Sequence, residues 1–259
     1  MTVRDTAKRA LGASVATVSP QCRYDRLIVV VAHMRCGSTA LSNVLCSRPD
    51  ISGYGEAHIR YDGQGALGRL LVNQALRRSW SPKAHSLFDK ILHDRHDLDA
   101  TPGFYRARAI FVVRPPGATI RSIRKLFSSL DRGEYEDDEA AARYYADRLA
   151  TMSDHWFRFP VDRRVGILHP HLISDPEATL ARISSALSFD PPLENSYVSR
   201  AVSTKGGAGD PTASAKHTRI ERRTGPEPAD TLEGLAISEA TARDVTEAYR
   251  AFASVIAAS

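Results

Sequence analysis

Cysteine is scarce in this 259-residue chain, which has Cys22, Cys36 and Cys46 and no others. An odd number without metal-ligand spacing excludes a disulfide framework and a cysteine-based metal site, so a reducing, cytoplasmic setting is expected. Long hydrophobic runs are missing too. The opening "MTVRDTAKRALGASVATVSP" has no unbroken apolar core of signal-peptide type, and no later run approaches membrane-spanning length, which argues against stable membrane insertion. A clustered Lys/Arg tract is also absent. The 35 basic and 30 acidic residues leave a net charge of +5, which suits an anionic ligand but not a dedicated nucleic-acid binder. Internal repeats and an interdomain linker are lacking. The expectation is one domain over 1–259, with an N-terminal extension at about 1–24.

What is present is an ordinary enzyme-like composition, 42% hydrophobic and 25% charged, sufficient for a sizeable core. Apolar runs alternate with helical patterns, the signature of βαβ units around a mostly parallel sheet in an α/β fold. Strands are predicted at 26–32, 86–92, 107–113 and 163–168, and helices at 38–47, 64–79, 116–130, 138–157, 176–187 and 238–257. Asp175 before Pro176, with Glu177 behind it, predicts an N-cap followed by proline at the first helical position. Residues 203–230 are rich in Gly, Pro and charge and show no apolar period, which predicts a long loop covering a ligand.

Three stretches carry candidate chemistry. In "VVVAHMRCGSTALSNVL", 29–45, a β-branched strand turns through Gly37 into a helix, so the first helical N–H groups point outward as an anion cradle. The ordinary phosphate loop, GxxxxGK[ST], is not met: its first glycine is missing and Ser38 stands where its lysine would. The backbone nest remains, with Arg35, Ser38 and Thr39 as side-chain donors for one terminal phosphate group. In "AIFVVRPPGATIRSI", 109–123, a strand ends in Arg114, two prolines force a turn, and the next helix carries Ser122 eight positions on. Guanidinium and hydroxyl converge on one phosphate if the helix folds back over the strand tip. In "TKGGAGDP", 204–211, Gly206 and Gly207 allow close backbone approach to a ligand and Lys205 adds a cation. Taken singly, each has an ordinary structural account: a tight turn, a surface charge, a flexible loop.

Together and in this order, the three resemble the sulfotransferases that use 3′-phosphoadenosine 5′-phosphosulfate (PAPS). "RCGST" at 35–39 matches the family's "RSGST"-like 5′-phosphosulfate loop at four of five positions. "RPPGATIRS" keeps the spacing of arginine and serine that reads the 3′-phosphate, with Pro115 where the family has aspartate. "TKGGAGDP" echoes the "RKGxxGDW" loop, with Thr204 and Pro211 as departures, and "HLISDPEATLARISSAL" at 171–187 looks like a further family segment. The resemblance implies a three-layer α/β/α fold of the P-loop nucleotide-hydrolase-like sulfotransferase type. It implies PAPS as donor, adenosine 3′,5′-bisphosphate (PAP) as product and no metal. It places Arg35, Cys36, Gly37, Ser38, Thr39, Ala40, Arg114, Ser122, Lys205, Gly206 and Gly207 around the nucleotide.

For the base, "GYGEAHIRY" at 53–61 is similar to the "GE" element of the carbohydrate and tyrosylprotein branch, making Glu56 the first candidate. The rival is His93 in "FDKILHDRH", near but displaced by one residue from the histidine of the cytosolic "KTH" branch; Lys90 of the same stretch is a candidate to assist the leaving group, as is Arg35. Acceptor contacts are expected from 57–83 and 128–150, with Tyr61, Trp80, Tyr144, Tyr145 and Trp156 as aromatic candidates, the last core-like along with Tyr145. The expected partner is a small-molecule or carbohydrate hydroxyl, and whether the chain forms a homodimer stays open. The alternatives are a divergent phosphate-loop kinase and a non-catalytic bisphosphate-binding module.

Overall fold

The computed structural model describes residues 3–63, 65–130, 134–198, 217–224 and 230–258. The expected Lys205, Gly206 and Gly207 contacts lie outside the described residues.

The runs rich in β-branched and aliphatic residues form strands buried on both faces, as parallel sheets require. They are β1 (Leu27–Ala32), β2 (Ile51–Ser52), β3 (Ser86–Ile91), β4 (Arg108–Val113) and β5 (Arg164–Leu168). Among the described residues they make one sheet in the order β2-β3-β1-β4-β5, with every neighbouring pair parallel. Val31 pairs with Ile91 on one side and with Phe111 on the other, so the strand tips of β1, β3 and β4 end level. Helices cover the sheet: α1 (Val3–Val18), α2 (Ser38–Ser47), α3 (Ala66–Leu76), α4 (Pro116–Leu130), α5 (Asp138–Arg158), α6 (His169–Ser174), α7 (Pro176–Ala186) and α8 (Glu239–Ala257). The result is the expected α/β/α architecture. None of the described helices is long and apolar enough to cross a membrane.

The sequence places β1 after the first helix, and the chain leaves it toward β2 and β3 on one side and toward β4 and β5 on the other. In such sheets the crevice at the carboxyl ends of the strands, where the order reverses, is the ligand site. The tips of β1, β3 and β4 form it here.

Three elements differ from the sequence expectation. The N-terminal extension contains α1, which packs on α3 through glycines: a Cβ added at Gly68 would lie 1.8 Å from the Gly12 carbonyl oxygen. Residues 217–224 do not behave as an open loop, since Ile220 is buried, its N–H donates to Asn195 Oδ1 at 2.7 Å, and Arg223 N donates to Ile173 O at 2.7 Å. Trp80 lies before β3, at the sheet edge opposite the crevice, where its indole N–H donates to Gln21 Oε1 at 2.7 Å; it is not an acceptor contact. Asp175 caps α7 as expected, accepting from Ala178 N at 3.3 Å.

Gly68→Ala forces α1 away from α3, because backbone cannot yield as a flexible side chain can. The expected cost is about 1–3 kcal/mol, read as a lower urea midpoint with an unchanged m-value.

Candidate functional site

The turn from β1 into α2 is held in shape by backbone that few residues adopt. Arg35 has φ 65° and Gly37 φ 84°. At Gly37 a Cβ would also meet His169 Cδ2 at 3.0 Å, so glycine is required by both conformation and space. Gly37 is the N-cap residue and receives no side-chain cap, leaving the N-terminal end of α2 facing the crevice. Ala40 N donates to Gly37 O at 3.2 Å within the turn. Cys36 and Ser38 are buried, and burial pushes the Cys36 thiol up, away from thiolate chemistry.

The two anion segments meet. Arg35 Nε donates to Ser122 Oγ at 2.9 Å, and Arg114 Nη1 donates to the Arg35 carbonyl at 2.9 Å. Arg114 is half-buried; burial, with the charges of Arg35 and Arg223 nearby, lowers its pKa. This concentration of positive charge in a partly dry crevice favours an anion. Arg223 was not singled out from the sequence, where it stands in an unremarkable charged run.

Histidines brace the same turn in neutral form. His33 Nε2 accepts from Arg114 N at 3.0 Å, which fixes the proton on Nδ1, bonded to Met34 O at 2.8 Å. Burial pushes His33 down to about 3, and His169, half-buried beside Arg114, falls to about 3 as well.

At the tip of β3, Lys90 is buried and its Nζ donates to Thr39 Oγ1 at 3.2 Å, joining the strand lysine to α2. Glu56 is buried nearby, and desolvation raises its carboxyl against the opposing charges of Lys90 and His58. Its Oε1 lies 3.4 Å from His58 Nδ1. Asp89 pins the backbone around it, accepting from Ala57 N and Lys90 N at 2.8 Å each and from Tyr61 Oη at 2.7 Å. Burial holds Asp89 up at about 7. Tyr61 is thus a core group bonded to Asp89 instead of an acceptor contact. His93 is half-buried, with its ring centroid 5.5 Å from that of Tyr144, and burial drops it to about 3.

Comparison with known proteins bears on this arrangement. Residues 104–191 match the model described as "Sulfotransferase family". The sulfotransferase domain of the Synechococcus PCC 7002 olefin synthase superposes with a TM-score of 0.61 at 22% identity, covering 88% of this chain and 94% of that one. The fold is that of the sulfotransferases. The sulfotransferase domain of the curacin biosynthetic pathway aligns with a TM-score of 0.52 at 15% identity over 88% of this chain and 96% of its own. A mouse sulfotransferase complexed with PAP aligns with a TM-score of 0.50 at 14% identity over 93% and 87% of the two chains. No curated protein matches the chain significantly in sequence.

The crevice of this chain has a support that sequence reading missed. Tyr144, Tyr145 and Arg148 of α5 all reach the strand tips. Tyr144 Oη accepts from Met34 N and donates to Leu92 O, both at 2.8 Å, and Tyr145 Oη donates to Arg114 O at 2.8 Å. Trp156 is core. Arg148, fully buried, bonds Ala32 O at 3.0 Å and Ile91 O at 3.1 Å, tying β1 to β3. Its guanidinium also forks onto Asp97 at 2.8 and 2.9 Å and reaches Asp94 at 2.8 Å. Burial opposes charge on both partners, yet the pair wins: the Asp97 carboxyl is held low and the Arg148 guanidinium high.

Arg148→Met therefore leaves Asp97 buried without its guanidinium partner, at an expected cost of about 3–5 kcal/mol in denaturant unfolding. Adding Asp97→Asn to that variant should recover part of the loss, because the uncompensated charge is gone.

Proposed function

We propose that this protein transfers the sulfuryl group of PAPS to a hydroxyl, less readily an amine, of a small-molecule or carbohydrate acceptor. The observation that carries the reading is the direct contact of Arg35 with Ser122 and of Arg114 with the Arg35 carbonyl, each at 2.9 Å. Two segments, each an ordinary turn by itself, thereby form one cationic crevice able to hold both phosphate ends of a bisphosphorylated adenosine. The PAP complex of the mouse sulfotransferase with this fold supports the same donor.

PAPS when bound supplies a sulfuryl group attached to a phosphate leaving group. The backbone turn at 36–39 and Arg35 hold the 5′ end, while Arg114 and Ser122 take the 3′-phosphate. Lys205, Gly206 and Gly207 complete that second contact by resemblance. The new bond joins the acceptor oxygen to sulfur as the bond from sulfur to the 5′-phosphate oxygen breaks. Negative charge then grows on the phosphate, and Arg35, Lys90 and the N-terminal end of α2 stabilise it. Glu56 takes the acceptor proton. Its raised pKa makes it a stronger base than an exposed glutamate, whereas His93 at about 3 is a poor proton acceptor near neutral pH. A kinase reading is disfavoured because Ser38 occupies the lysine position of the ordinary phosphate loop. Cys22, Cys36 and Cys46 are free thiols, in keeping with work in the reducing cytoplasm.

Thermal-shift titration separates the donors. PAP should raise the melting temperature well above the shift given by AMP or by ATP with magnesium, as a ligand selective for the folded state does. Arg114→Ala should erase the preference of PAP over AMP; if the preference survives, the 3′-phosphate assignment fails.

Turnover tests the base. A deprotonated Glu56 is required, so kcat/KM should rise with pH through a limb lying above the ordinary glutamate value of about 4.3. Glu56→Gln should remove that limb and lower kcat by about 10²–10⁴-fold while leaving PAP binding in place.

A further inference from the structure

The surroundings of Glu56 contain more than a base needs. Glu56, His58 and His96 each offer one ligand atom, and the three atoms lie within 4.8 Å of one another. Glu56 and His96 are 5% and 9% exposed, so both are more than nine-tenths buried. Yet, among the described residues, Glu56 Oε1 and His96 Nδ1 have no hydrogen-bond partner. Buried polar atoms left unsatisfied are costly, and a pair of them facing one small space calls for a missing guest.

His58 supplies the third side. Its backbone sits at φ 56°, uncommon for a residue with a side chain, and this turn sets Nδ1 3.4 Å from Glu56 Oε1. The His58 and His96 ring centroids are 5.5 Å apart. Because the His58 side chain is 39% exposed, the cluster has an entrance from solvent.

We propose that Glu56, His58 and His96 form a binding site for a transition-metal dication of the zinc class. Two imidazoles and one carboxylate are a donor set of zinc sites that keep a position open for water or substrate. Zinc bond lengths of about 2.0–2.2 Å place tetrahedral ligand atoms about 3.4 Å apart, the separation the Glu56–His58 pair already has. His96, whose ligand atom lies within 4.8 Å of the other two, closes the triangle by moving inward. Arg95, exposed, donates from Nε to His96 Nε2 at 3.3 Å, which leaves the ring proton on Nδ1; a metal ion taken by His96 displaces that proton and parts this long surface contact. Lys90 and Arg95 are cations near the ion; the Lys90 ammonium is drawn toward Thr39 Oγ1, and the Arg95 side chain is at the surface where solvent screens it.

The consequence for turnover rests on the sulfuryl-transfer reading above: an ion on Glu56 occupies the carboxylate that takes the acceptor proton, so metal inhibits. The binding claim stands without it.

The test uses full-length protein stripped with a chelator and then dialysed free of it. Zn²⁺ is titrated by calorimetry and Co²⁺ by its visible ligand-field absorption, with Mg²⁺ as the hard-cation control. One equivalent of Zn²⁺ and of Co²⁺ should bind, with no matching Mg²⁺ signal. His58→Ala, at an exposed position, should weaken Zn²⁺ by at least about 10-fold, and so should His96→Asn in protein whose circular dichroism matches the parent. Absence of saturable binding by the folded parent overturns the proposal, as does binding that neither substitution changes, which would place the ion at the thiols or another surface. None of these readouts depends on turnover, so failure of the metal site and failure of the PAPS reading are seen separately.

Discussion

A buried guanidinium holds the working edge of this molecule together. Arg148 stands at 0% exposure where the strands end, and a charge there survives only because every direction it faces offers an acceptor. Two of those acceptors are the terminal carbonyls of neighbouring strands, Ala32 and Ile91; the others are the carboxylates of Asp94 and Asp97. Strand tips normally present carbonyls that water must satisfy. Here the α5 side chain satisfies them in a dry interior, which fixes the separation of β1 and β3 at the point where their loops diverge. Asp97 has its own support, since His155 Nε2 lies 3.4 Å away and Tyr105 Oη bonds His155 Nδ1 at 3.0 Å. The ion pair is thus one end of a buried chain, and the loops built on it inherit its rigidity.

That rigidity explains how like charges are kept together. Arg35 and Arg114 lie in contact and Arg223 close by, although each lowers the comfort of the others. Repulsion would spread them if they were held by side-chain attraction alone. They are held by backbone instead: the Arg35 carbonyl accepts from Arg114, neutral His33 ties the Arg114 amide to Met34, and Tyr145 takes the Arg114 carbonyl. Neutral histidines matter in this role because a protonated imidazole would add to the repulsion and lose its acceptor nitrogen. The crevice therefore carries its cationic field before any ligand arrives, the preorganisation that makes electrostatic stabilisation effective.

How much of this the sequence disclosed follows from how local each signal is. β1 and β4 announce themselves by the runs "LIVVVA" and "AIFVV", because a strand buried on both faces takes apolar residues at nearly every position; β3, with buried Asp89 and Lys90, is the exception. The start of α7 is equally local, written in Asp175 and Pro176. α1 was not legible: its burial depends on Gly12 meeting Gly68 of α3, a contact between residues far apart in sequence. β2 is two residues long and shows no period at all. The glycine turn and the Arg114–Ser122 spacing were readable because one turn and one helix fix them. Arg148 was not, since in the charged sequence of α5 it looks like one more solvated residue until Tyr144 and Tyr145 of the same helix are seen to point at the strand tips. His58 and His96 escaped for the same reason, coming from separate loops.

The Glu56 side of the crevice is held by a different device from the Arg35 side. Asp89 binds the amides of Ala57 and Lys90 together, so the segment bearing Glu56 is fastened to β3 by its backbone. Tyr61 fastens the same carboxylate from the next turn of chain. With the backbone fixed on both sides of Glu56, an arriving proton or ion must be accommodated by the carboxylate itself, and by His58, whose ring faces solvent. Lys90 couples this response to the other half of the crevice: its amide belongs to the Asp89 clamp and its ammonium to Thr39 at the start of α2. One strand residue thus spans the distance between the buried segment that bears Glu56 and the turn at the start of α2.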